Sequence, residues 1–142
     1  MNSNLSTQQE EKKIQFRVPL LLSLLWVFLS LNYIFCDLLT MMDRNVIRGL
    51  MDGNIGGIPM TQVFLLLAGI SLEIPFLMVV LSAILPYTTN RIVNIGVAAL
   101  MILYQLASFF IGSELTLHYV FFSMTEILGN AVIINLATRW KR

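Results

Sequence analysis

Three carboxylates stand inside apolar sequence: Asp37 in "SLNYIFCDLLTMMD", Glu73 in "GISLEIP" and Glu126 in "LHYVFFSMTEI". An ionised carboxylate near the centre of a bilayer costs at least ~2.5–3.5 kcal/mol on insertion scales, more than packing readily returns, so each acid needs a reason. The chemistry open to them is limited. Two acids close together in low dielectric cannot easily both ionise, so such a pair holds a proton or a cation. An acid in an apolar pocket can also orient a small molecule or act as acid or base on it.

Spacing gives these acids neighbours. Ser23, Ser30, Tyr33, Asp37 and Thr40 follow steps of 7, 3, 4 and 3, one face of a helix, with Asn32 and Cys36 beside it. Further faces carry Asn94, Ala98, Met101, Gln105, Ser108 and Gly112, then Thr116, Tyr119, Ser123, Glu126 and Asn130. Gln62, Gly69 and Glu73 also share a face, and the expectation is that each helix turns its polar face away from lipid. Small and hydrogen-bonding residues on such faces are more often glue between helices than machinery, whereas the carboxylates are an expensive form of glue.

The elements that position these residues follow from hydropathy. The chain has 142 residues, of which 57% are hydrophobic and 12% charged, with a mean hydropathy of +0.79. Soluble domains carry about 25% charged residues, so the chain reads as an integral membrane protein. Four apolar segments, 18–41, 58–85, 92–112 and 116–138, each approach the ~20 residues that a spanning helix needs. The expected fold is all-α, a bundle of four transmembrane helices in one domain, residues 18–138, with a polar tail over 1–17, a loop over 42–57 and a basic tail over 139–142.

Four crossings put both termini on one side. Lys12, Lys13, Arg17, Arg91, Arg139, Lys141 and Arg142 fall on that side, and only Arg44 and Arg48 on the other, so both termini are expected in the cytoplasm. The same bias argues against dual topology. The first apolar run is longer than the core of a secretory signal and lacks a small-x-small site after it, so it reads as a permanent helix, and the polar tail before it as frayed. In the loop, Asp43 could cap a short helix with Val46, Ile47, Leu50 and Met51 on its apolar face, ended by "GNIGG". The links "PYTTN" and "GSEL" are short, so successive helices should be antiparallel neighbours.

Counted from the outer ends, Asp37 lies about one turn in, Gln105 about two, and Glu73 and Glu126 about 10–15 residues in, with His118 near the level of Asp37. With Tyr33, Tyr104 and Tyr119 these groups are expected to line a pocket that opens outward and deepens to the pair Glu73 and Glu126, with Asn130 in reach as a hydrogen-bond partner. His118 alone is more often a boundary residue than a catalyst. Pro75 removes the hydrogen bond that the carbonyl of Ser71 would accept, which reads first as a kink and second as a ligand contact.

Several chemistries are set aside. One cysteine, Cys36, makes no intrachain disulfide or Cys-x-x-Cys pair, and one histidine cannot give bis-histidine haem ligation. No Glu-x-x-His pair, phosphate loop, nucleophile elbow or basic nucleic-acid surface is present. No metal site and no nucleic-acid partner are expected, and the residues leave the cofactor unknown.

"LNYIFCDLLTMMD", "LEIPFLMVVLSAIL", "NRIVNI" and "LHYVFFSMTEI" resemble the four helices of a small bacterial membrane family catalogued only as a domain of unknown function. The resemblance covers nearly everything after residue 22 and implies an inner-membrane four-helix protein, without an activity. In architecture the chain is also similar to DoxX-like subunits and to the sterol-isomerase and sigma-2-receptor class, which carry no site residue across. Three functions stay open: a pocket for an apolar small molecule, lipid, quinone or isoprenoid; a proton or cation pathway completed by homo-oligomerisation; and a polar network that only specifies the bundle.

Overall fold

The computed structural model describes residues 2–55, 57–110 and 116–141, with side chains from Arg17 on. In chain order the elements are α1 (Asn2–Thr40), α2 (Arg44–Met51), β1 (Asn54–Ile55), β2 (Ile58–Pro59), α3 (Gln62–Ile84), α4 (Tyr87–Ser108) and α5 (Leu117–Arg139). Four stretches, Arg17–Thr40, Gln62–Ile84, Tyr87–Ser108 and Leu117–Arg139, are long and apolar enough to cross a membrane. From Asn2 on, the residues before Arg17 belong to α1.

Local chemistry sets most of the boundaries. Asp43 caps α2, its carboxylate accepting from the backbone N–H of Asn45 at 2.7 Å. Gly53, at φ +70°, lets the chain leave α2 in a conformation that L side chains rarely adopt. Asn54–Ile55 then pairs antiparallel with Ile58–Pro59, Ile55 opposite Ile58, a pairing that the turn residues of the loop conceal in sequence. Thr61 caps α3 through Phe64 N–H. The expected link "PYTTN" shrinks to Leu85 and Pro86, because Pro86 sits at the N-cap of α4 and Tyr87 to Asn90 form its first turn. The expected link "GSEL", with Gly112, lies outside the described residues.

The helices pack antiparallel along the chain. Ser23 near the start of the α1 span donates to the carbonyl of Val79 near the end of α3, and Thr40 at the end of α1 meets His118 at the start of α5. Helix α1 packs broadly on α3 and α5, and α5 on α4, while α3 and α4 touch little despite their two-residue link. Gly129 lets α5 come against α1: a Cβ there would stand 2.7 Å from Leu29 Cδ2.

The half of the bundle nearer the termini is tightly closed. Leu22, Trp26, Leu29, Met78 and Ile133 are almost fully buried in it. Asn94 Oδ1 accepts from Trp26 Nε1 at 2.7 Å and from the Ser82 hydroxyl at 3.0 Å. Asn94 Nδ2 donates to Asn90 Oδ1, and Asn90 Nδ2 to the carbonyl of Ser82. One amide therefore ties α1, α3 and α4 together. At the rim, Tyr87 donates to the carbonyl of Trp140 and its ring meets that indole edge-on at 4.9 Å.

Polarity is distributed in the reverse of a water-soluble bundle. Asn90, Asn94, Gln105, Ser123 and Glu126 are buried, while Leu66 (63%), Leu103 (64%) and Leu128 (64%) lie exposed on the sides. Replacing Asn94 with Leu keeps the branched shape, at a larger volume, and leaves the buried Trp26 and Ser82 donors without acceptors. The expected outcome is a loss of about 1–3 kcal/mol, read as a lower thermal midpoint of the purified protein in detergent; an unchanged midpoint would remove the network from the determinants of the fold.

Candidate functional site

In the half away from the termini the same helices part around a cavity of about 220 Å³. Tyr33, Cys36 and Asp37 come from α1; Ala68, Ser71 and Leu72 from α3; Met101, Tyr104, Gln105 and Ser108 from α4; Tyr119 and Glu126 from α5. The space follows from the packing. The short link and the Asn94 network hold α3 and α4 together at one end only, and the small side chains of Ala68, Ser71 and Ser108 leave room at the other.

Glu126 is the deep polar group. Its residue is 1% exposed and its Oε1 has no hydrogen-bond partner. Asn130, one turn on, spends its amide N–H groups on the carbonyl of Glu126 at 2.9 Å and the hydroxyl of Tyr33 at 3.1 Å. Its own Oδ1 is buried without a partner, as is the hydroxyl of Ser30. The other polar wall groups pair among themselves: Gln105 Nε2 donates to Ser123 Oγ at 2.6 Å, and the hydroxyls of Ser108 and Tyr119 lie 2.5 Å apart. Asp37 is exposed and lines the same cavity as Glu126.

The sequence-derived candidates divide accordingly. Tyr33, Asp37, Tyr104, Gln105, Tyr119 and Glu126 line one cavity, and Asn130 braces it through Tyr33 and Glu126. His118 is not among the lining residues; its Nε2 lies 3.2 Å from the Thr40 hydroxyl and 3.3 Å from that of Thr116, which makes it a tie between α1 and α5.

Glu73 is the correction. It lies exposed on the outward side of α3, with Gln62 and Gly69, and does not pair with Glu126. The physical reason is that α3 has a second face of small residues, Ala68, Ser71, Pro75 and Ser82, which packs more closely than the face carrying the carboxylate. Pro75 and Ser82 are buried there. Asp37 takes the place expected of Glu73 as the second acid. Ala68, Ser71 and Leu72 went unrecognised as lining residues; the run of small side chains three or four residues apart was the signal that could have found them.

Among the described residues no group of three or more His, Cys, Asp or Glu side chains could hold a metal ion. The chain belongs to the family described as a family of unknown function, DUF6326, which matches residues 11–142. No curated protein and no solved structure matches it, so the architectural likeness to DoxX-like subunits and sterol isomerases has no counterpart there.

A buried carboxylate oxygen without a partner costs folding energy. Glu126→Gln keeps the shape and removes the charge, so the variant should melt higher than the native protein, by about 1–2 kcal/mol. A lower midpoint would instead mark Glu126 as a group that specifies the bundle.

Proposed function

We propose that the chain is an integral protein of the bacterial inner membrane, with both termini in the cytoplasm, and that its cavity binds a small molecule with a mainly apolar body, oriented by Glu126 and admitted from the outer side. Four long apolar helices with apolar outer surfaces and polar interiors support the membrane assignment. The seven cationic residues on the side of the termini, against two on the other, support the orientation.

The pocket reading is supported by the placement of the cavity in one half of the bundle while the other half is packed. The cavity's floor is Glu126, and beyond it Leu29, Trp26, Met78 and Ile133 close the bundle. A proton or cation pathway through one chain would have to cross that packed half. A cavity of about 220 Å³ is also too small for a whole lipid or a quinone with its tail, and suits a compact ligand or a headgroup. Acid or base chemistry by Glu126 on such a ligand is compatible with its position.

Cys36, the single cysteine, lines the cavity and reports on it directly. In right-side-out membrane vesicles a small impermeant thiol reagent should label Cys36, and Ala68→Phe, which fills the cavity, should slow labelling by about tenfold or more. Equal rates in the two proteins would overturn the pocket. Liposomes carrying the protein should show no proton or alkali-cation flux above empty ones; flux lost in Glu126→Gln would favour the pathway. A fluorescent protein fused to the C-terminus should fluoresce, and alkaline phosphatase at the same place should be inactive; the reverse result would overturn the orientation.

A further inference from the structure

We propose that the ligand of this cavity is a small organic cation, a protonated amine on a compact apolar body of one ring or an equivalent alkyl group. The inference rests on the pocket reading above and adds the chemical class.

The first argument is charge. Asp37 and Glu126 line the cavity, and no Lys, Arg or His is among the described residues that do so. Two acids in one cavity disfavour an anion and give a neutral ligand no advantage, whereas a cation can take the place of a shared proton and gain from both.

The second argument is hydrogen-bond accounting. Asn130 directs both of its amide N–H groups away from Glu126 Oε1, to Tyr33 and to the Glu126 carbonyl, and Gln105 directs one of its two to Ser123. What stays open is acceptors, Glu126 Oε1 and Asn130 Oδ1, both buried. Two buried acceptors without a partner are complementary to a donor, and an ammonium group offers up to three N–H bonds and no acceptor.

The walls supply the rest. The tyrosine rings of Tyr33, Tyr104 and Tyr119 border the cavity, and aromatic faces attract a cation within about 6 Å of the ring centre. Leu72 and Met101 give the apolar body a surface. Size limits that body: a cavity of ~150 Å³ takes one benzene, so about 220 Å³ takes a ring with a short aminoalkyl arm. A bare metal ion fits less well, because no three His, Cys, Asp or Glu side chains converge among the described residues.

Calorimetric titration of the protein in nanodiscs at neutral pH, with 2-phenylethylamine, 2-phenylethanol and 3-phenylpropanoate as probes of one shape and three charges, tests the assignment. The amine should bind at least about tenfold more tightly than the alcohol, and the carboxylate should not bind. That preference should collapse in Glu126→Gln, weaken in Asp37→Asn and persist in Glu73→Gln, and the amine should slow the labelling of Cys36. Equal affinity for amine and alcohol, or no amine binding by protein whose Cys36 labelling still responds to Ala68→Phe, would overturn the amine and leave the pocket standing. Absence of binding together with labelling that ignores Ala68→Phe would overturn both.

Discussion

Asn94 accepts one hydrogen bond from α1 and one from α3 while donating to its own helix, and the shape of the bundle depends on that arrangement. An amide buried among apolar side chains has no water to fall back on, so its partners must come from the neighbouring helices. The helices it joins are fixed at the end nearer the termini. With a link of only two residues, α3 and α4 cannot slide past each other there. The opposite end lacks an equivalent cross-tie between α3 and α4 among the described residues, and the cavity lies where the tie is missing.

The two halves therefore treat polarity differently. Around Asn94 the donors and acceptors match one another. Around Glu126 they do not, for the carboxylate keeps an oxygen without a partner in a residue that is almost completely buried. Asn or Gln at position 126 could brace the bundle at smaller cost, and that cost is the ground on which a ligand is proposed. The pairing of Gln105 with Ser123 and of Ser108 with Tyr119 stiffens the walls without meeting that need. A rigid, partly satisfied site that lacks one donor is the state from which a ligand gains most.

Helix α3 shows how a polar residue can mislead. Weighting by cost favoured the face with Glu73, because an acid directed at lipid is expensive. Packing favours the other face, where Ala68, Ser71, Pro75 and Ser82 let α1 approach and where Ser23 reaches the carbonyl of Val79. Close contact along a whole helix outweighs one unfavourable group. Glu73 stays on the exposed side as the consequence of that packing.

The sequence alone determined the number and approximate extent of the apolar helices, because span length and hydropathy are local quantities. It also placed the cap at Asp43 and the inward faces of α1, α4 and α5, since helical periodicity leaves each of those helices one dense polar stripe. It brought Asp37, Gln105, Tyr33, Tyr104, Tyr119 and Glu126 into one group. Only the tertiary structure decided which of two small-residue faces α3 turns inward, and so which acid accompanies Glu126. It alone revealed the tie of Trp26 to Asn94, residues 68 apart in the chain, and the packed half beneath the cavity. Those features depend on how helices distant in sequence fit together, and periodicity within one helix carries no information about the surface that will meet it.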